Sequence, residues 1–280
     1  MIKINLSRGN DPIKQIEACL DILEQIDSLI KEKKEIELDF SNVGWILPCS
    51  ALLLAGKIDE LKSKGVNVNL IPPEEDMVKK HLLGIGFPFG TKKQGETYSP
   101  INHFGKEVSI NKEVNELLDN MQNKLPKQFG ASISYLLGEL TDNIEQHSKF
   151  THASIMAQYF PQKKHVDIGI LDNDLSIPKV FENNIISFTD DCDAITKAMS
   201  GTTTKKEDGT RGFGLKTTKK IVRDLCDGEL YLISRQGVLI FKPNLFSKKY
   251  NFPKNTLKGT LIYIHINTPS KDLNIYPYLE

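Results

Sequence analysis

The chain has 280 residues, enough for one or two domains at about 150 residues each. Hydrophobic residues make up 39% and charged residues 26% of it, which permits a packed core and excludes wholesale disorder. The 36 Lys+Arg cancel the 36 Asp+Glu, so there is no whole-chain electrostatic case for nucleic acid as a partner.

Residues 2–6 alternate like a short strand. Apolar residues at Ile13, Ile16, Leu20, Leu23, Ile26 and Ile30 predict a helix from Pro12 to Ile30. Glu35 to Phe40 alternates with period two and predicts a strand. A second helix opens near Pro48 and stops at Gly65. Val66 to Ile71 predicts a strand ended by Pro72 and Pro73, and Asp76 to Gly84 a short helix. The first ~90 residues therefore read β-α-β-α-β-α, an α/β unit with helices over a sheet. Residues 88–110 are polar and rich in Gly and Pro, so they read as a linker or the edge of a second unit.

Beyond that point the pattern predicts helices over Val114–Lys124 and about Ala131–Ser148. Strands follow over Ala153–Phe160 and Val166–Asp172, then a helix over Asp191–Met199. A glycine turn leads into a helix over Leu215–Arg223, ending near Cys226. Strands over Glu229–Ser234, Val238–Lys242 and Gly259–Ile266 complete the reading.

Met1 to Arg8 carry no apolar signal-peptide core. The longest apolar stretch, Ile46 to Gly56, is broken by Pro48 and Ser50 and falls short of the ~20 residues a bilayer needs. Cys19, Cys49, Cys192 and Cys226 are far apart, without zinc or disulfide spacing. The expectation is a cytoplasmic protein without a membrane partner. His81, His152, His165 and His265 show no metal-ligand spacing along the chain.

Four segments carry candidate chemistry. In the first, Glu139, Asn143 and His147 stand at i, i+4 and i+8, one stripe of a helix. An amide oxygen can ligate Mg²⁺, a carboxylate can polarise an attacking water, and an imidazole can stand near phosphate. An exposed polar stripe has the same spacing, and His147 fits a helix-end structural role equally well. In the second, Asp172 ends a strand, followed by Asp174 and Ser176. A strand-end Asp can accept from an exocyclic amino group, and Asp-Asn-Asp is also ordinary turn chemistry. In the third, Gly209, Gly212 and Gly214 precede a helix, with Lys205, Lys206 and Arg211 nearby. Glycines and a helix N-terminus suit a phosphate chain, and a surface loop has the same composition. The fourth is Gly259-Thr260 in the last strand.

In this order and spacing, the segments from about Lys112 to Asn267 resemble the GHKL superfamily of histidine-kinase-like ATP-binding domains (Bergerat fold). The resemblance implies an α/β sandwich with a mixed, largely antiparallel sheet and helices on one face. It implies Glu139 as catalytic acid-base and Asn143 as Mg²⁺ ligand. It implies Asp172 as adenine acceptor, with Asp174 beside the nucleotide. The phosphate turn falls on Arg211, Gly212, Phe213, Gly214 and Leu215, with Lys205 and His147 nearby and Thr260 in the last box. Residues 179–211 are expected to be a lid. One departure stands out, because Asp174 and Ser176 occupy positions that usually hold glycine. His103 is the only histidine between positions 82 and 146 and lies in a loop-like segment, which disfavours a sensor kinase. The nearest branch is the anti-sigma-factor serine kinases.

The first unit resembles a STAS domain over Ile36 to Ala55, Lys64 to Ile71 and Val78 to Gly86. In that family a Ser at the start of this helix is phosphorylated by a partner kinase, and Ser50 holds the matching position. The usual Asp and Gly around it are replaced here by Pro48, Cys49 and Ala51. A plain helix-start role fits Ser50 as well.

The expectation is thus a STAS-like domain over residues 1–95 and a GHKL domain over 105–280. ATP and Mg²⁺ are the expected cofactors and a protein is the expected partner, with homodimerisation left open. The activity is either a protein serine kinase or slow ATPase, or an ATP-dependent interaction switch without turnover.

Overall fold

The computed structural model describes residues 1–6, 9, 11–31, 33–91, 95, 97–105, 133, 135–138, 140, 152–202, 214–243, 247–268 and 276–278. It is a mixed α/β protein built on two sheets. The first has three parallel strands in the order β1-β2-β3: β1 (Ile2–Lys3), β2 (Glu35–Asp39) and β3 (Asn67–Ile71). Two helical crossovers join them, α1 (Pro12–Leu29) and α2 (Pro48–Ser63), as parallel pairing requires. Asp11 caps α1 through Oδ1, which accepts from the Ile13 N–H at 3.0 Å and the Lys14 N–H at 3.4 Å. Proline opens both helices, where its missing N–H costs nothing. Gly65 adopts φ +74° where α2 turns into β3. α3 (Asp76–Gly84) follows.

The second sheet has seven strands: β4 (Tyr98–Gly105), β5 (His152–Phe160), β6 (His165–Asp172), β7 (Glu229–Arg235), β8 (Gly237–Phe241), β9 (Lys248–Asn251) and β10 (Leu257–Asn267). Their order is β4-β5-β6-β10-β7-β8-β9, and every pairing is antiparallel. The segment read as linker or edge thus contains the edge strand β4. Besides β4 and a 3-10 turn over Tyr276–Tyr278, two elements escaped sequence reading: α4 (Ile177–Asn183) and β9. The first is one capped turn after an Asp-Asn-Asp segment, and the second is four polar residues without alternation. α5 (Asp191–Met199) agrees with expectation. α6 (Gly214–Lys220) continues as a π-helical turn over Ile221–Leu225.

Alternation along the strands builds two cores. Ala153, Ile155, Ile168, Ile170, Leu232, Ile262 and Ile264 face a helical layer that includes Ile133, Leu136, Leu137, Leu140, Ile195 and Ile221. Met156, Leu171, Tyr231, Ile233, Leu261 and Tyr263 point to the opposite face. There they join Leu52, Leu53, Ile58 and the rest of the N-terminal unit in one continuous core. α2 is therefore buried on both sides, between the small sheet and the large one. Gly169 marks the closest approach, since a Cβ there would stand 2.8 Å from Leu52 Cδ1 and 3.3 Å from the Pro48 carbonyl carbon.

The four cysteines are buried and free. Among the described residues no helix is long and apolar enough to cross a membrane. The expected helix over 114–124 lies outside the described residues.

Candidate functional site

The large sheet carries two rows of polar side chains, one at each end and on opposite faces. The first row follows from strand register. Asp172, the last residue of β6, pairs with Thr260 of β10, and Thr260 pairs with Ser234 of β7. These residues face the layer that holds helical residues 133, 135–138 and 140. Asp172 is 3% exposed, and its Oδ1 accepts the Asp174 N–H at 3.1 Å. Ser234 Oγ donates to the Gly259 carbonyl at 2.9 Å, accepts the Ile177 N–H at 2.8 Å, and lies 2.9 Å from Thr260 Oγ1. Gly259 has φ +96° at an irregularity in the β10–β7 pairing. A Cβ there would stand 2.0 Å from the Asp172 carbonyl oxygen, so only glycine fits.

The structure thus brings Asp172, Asp174 and Thr260 together. Gly214 starts α6, and Leu215 packs half-buried on the helix-side core. Glu139, Asn143, His147, Lys205, Lys206, Arg211, Gly212 and Phe213 lie outside the described residues. The two positions that depart from the glycine pattern have ordinary backbones. Neither Asp174 nor Ser176 has positive φ. Ser176 instead caps α4, at φ −65° and ψ 152°, with Oγ accepting the Lys179 N–H at 3.3 Å. β6 therefore leaves the sheet through an Asp turn into a capped helix rather than through a glycine turn.

The described part of the expected lid is anchored rather than loose. Phe181, Cys192, Ala194, Ile195 and Met199 are buried. Arg235 pairs with Glu182 at 2.8 Å and Asp191 at 3.3 Å, and Asp191 also accepts the Gln236 N–H at 3.0 Å. Ser50 is wholly buried in the first turn of α2. In this arrangement its hydroxyl is out of reach of a kinase, and phosphorylation there would require α2 to leave the large sheet.

The second polar row escaped sequence reading. Across the strands Gln158 (β5), Asp167 (β6), His265 (β10) and Glu229 (β7) stand in direct register. They face the N-terminal unit, and His165 lies two residues from Asp167 on the same face. His265 Nδ1 is 2.7 Å from Asp167 Oδ1, and His165 Nε2 is 3.8 Å from Asp167 Oδ2. The two imidazoles are 4.4 Å apart between centroids. One ligand atom from each of the three lies within 4.8 Å of the other two. Burial holds the His165 imidazole below its ordinary value, toward the neutral form, against the opposing pull of Asp167. Tyr231 donates to Glu229, and Lys242 pairs with Glu229 at 2.9 Å. A cavity of about 470 Å³ opens over this row, roofed by Asp11, Pro12 and Leu47 of the N-terminal unit. The only hint in the sequence is the His-x-Asp alternation of β6, because His265 stands 98 residues further on.

The chain matches no protein-family model and no curated protein.

Proposed function

We propose that this protein is a Mg-ATP-binding regulator of the GHKL type, preceded by a STAS-like unit. The observation that carries the reading is the strand-end row of Asp172, Thr260 and Ser234 beside the tight backbone at Gly259. A buried carboxylate there suits the exocyclic amino group of adenine, and glycine at 259 lets the β10 backbone close onto that of Asp172 at the same strand end. The face is the one on which Ile133, Leu136, Leu137 and Leu140 pack, in the stretch where the resemblance puts Glu139 and Asn143. Asn143 would hold Mg²⁺, which would supply positive charge to offset that of the phosphates.

Within this reading ATP acts as a conformational signal to a protein partner. Burial of Ser50 favours that switch over self-phosphorylation, because the hydroxyl is enclosed between α2 and its neighbours. Calorimetric titration with ATP, ADP and GTP, with and without Mg²⁺, tests the proposal. Asp172→Asn should weaken ATP binding by about 1–3 kcal/mol, roughly 5- to 150-fold, the scale of a lost hydrogen bond to a charged group. Asn143→Ala should remove the Mg²⁺ dependence, and Glu139→Ala should stop any turnover while leaving binding intact. Absence of ATP binding by the wild type, or unchanged affinity in Asp172→Asn, sinks the reading.

A further inference from the structure

The second polar row bears no relation to the nucleotide reading. It lies at the opposite end of the sheet and on the opposite face. We propose that His165, Asp167 and His265 bind a divalent first-row transition metal, zinc foremost, in a site that opens onto the cavity beneath the N-terminal unit.

Four observations carry this. The first is the donor set. Two imidazoles and one carboxylate make a soft-to-borderline N₂O set, suited to zinc or its neighbours rather than to Mg²⁺ or Ca²⁺. The second is geometry. Donor atoms around tetrahedral zinc stand about 3.4 Å apart, given bonds of about 2.0–2.1 Å. Here they lie within 4.8 Å, with the closest pair at 2.7 Å. Small rotations of the two imidazoles close that difference without moving the strands, because β6 and β10 hold Asp167 and His265 in direct register.

The third observation is charge. The groups lining the cavity include three carboxylates (Asp11, Asp167 and Glu229) and two ammonium groups (Lys163 and Lys242). Lys242 is already engaged by Glu229. Asp167 is 2% exposed, and its neighbouring titratable groups are two imidazoles and the Tyr263 phenol rather than permanent cations. A buried carboxylate so placed gains from a bound cation. The fourth is an unsatisfied acceptor. Gln158 pairs with Asp167 across β5 and β6 on the same face, and is 7% exposed. Its Oε1 is buried without a hydrogen-bond partner among the described residues. An amide oxygen there is placed to ligate the metal as a fourth donor or to accept from a metal-bound water.

Three side-chain ligands leave a coordination position open, and the cavity supplies the space beside it. Tyr263 is buried on the same face and hydrogen-bonds Asp167. It stands as an outer partner that orients the Asp167 carboxylate.

The test uses the full-length protein stripped with a chelator. Zn²⁺ is titrated calorimetrically, and Co²⁺ is titrated while its visible ligand-field absorption is followed. The expected result is one equivalent per chain, with intense bands typical of a four- or five-coordinate site. Mg²⁺ should not compete. His265→Gln, His165→Gln and Asp167→Asn should each lower Zn²⁺ affinity by more than about tenfold, the minimum reported for disturbing even outer partners of a site. Gln158→Leu should shift the Co²⁺ spectrum while keeping the stoichiometry. Circular dichroism of each variant establishes folding, and the wild-type titration stands if one of them does not fold. Failure of the wild type to bind Zn²⁺ or Co²⁺ overturns the proposal, as does binding that all three ligand variants retain. Asn143→Ala should leave the titration unchanged, which separates this site from the nucleotide reading.

Discussion

Gly169 offers the sharpest test of how the N-terminal unit is held on the large sheet. A methyl group there would stand 2.8 Å from Leu52 Cδ1 and 3.3 Å from the Pro48 carbonyl carbon. Ordinary carbon contacts lie near 3.5–4.0 Å, so Leu52 must yield by about an ångström. α2 cannot retreat easily, because its other side packs on the small sheet. Overpacking of this kind costs about 1–3 kcal/mol. Loss of glycine freedom in the unfolded chain offsets about 0.4–1 kcal/mol of that. Gly169→Ala should therefore destabilise by about 1 kcal/mol, and Gly169→Val by about 3 kcal/mol. Leu52→Ala alone should cost about 2–5 kcal/mol through the cavity it leaves. In the double variant the added methyl enters that cavity, so the Gly169→Ala penalty should vanish. The expected coupling is about 1 kcal/mol, opposite in sign to the single penalties. Urea unfolding followed by circular dichroism and by fluorescence of Trp45, the single tryptophan, measures all four corners of the cycle. Additivity within about 0.3 kcal/mol would refute the proposed contact.

Two further predictions concern other layers. His81 stacks on Trp45 at 4.6 Å, and burial pushes its pKa down to about 4. An unfolded histidine titrates near 6.5, so folding favours the neutral ring. Its contribution is complete above about pH 6.5 and is lost as pH falls through 4, up to about 3 kcal/mol in all. His81→Phe should keep the stacking and flatten the stability profile between pH 6.5 and 4; an unchanged slope in urea midpoints would exclude this role. Gly259→Ala should cost about 2–3 kcal/mol or more, because φ +96° disfavours any side chain and the methyl meets the Asp172 carbonyl. A thermal shift within 1–2 °C of wild type would count against the tight backbone at that end of β6.

Much of the element order is legible in the sequence because it rests on local signals. The alternation of Glu35 to Phe40, the proline openings of α1 and α2 and the alternation of Val166 to Asp172 each report a period within a few residues. Short elements without such a period were not legible. α4 depends on a Ser cap hidden behind a turn, and β9 on pairing with β8 alone. The site divides in the same way. Asp172 declares itself as a strand end, whereas its place in one row with Thr260 and Ser234 depends on pairing with strands about sixty to ninety residues further on. The His165–Asp167–His265 cluster was invisible for the same reason. Linear spacing argued against metal binding, and cross-strand pairing created the spacing that the chain lacks. The packing of α2 against the large sheet also left little trace, apart from a helix apolar on more than one face.

That doubly buried helix has a consequence for synthesis. α2 ends at Ser63, while β10, which completes the surface it packs against, ends at Asn267. About 200 residues separate them, so at roughly 5–20 residues per second the ribosome needs on the order of 10–40 s to deliver the missing wall. During that interval the small parallel sheet can form, yet Leu52, Leu53 and their neighbours lack the partner that will cover them. The nascent N-terminal unit therefore carries a sticky stripe that only the synthesis of β10 removes. Its safe passage depends on the tempo of elongation, or on an escort that holds the stripe until β10 arrives.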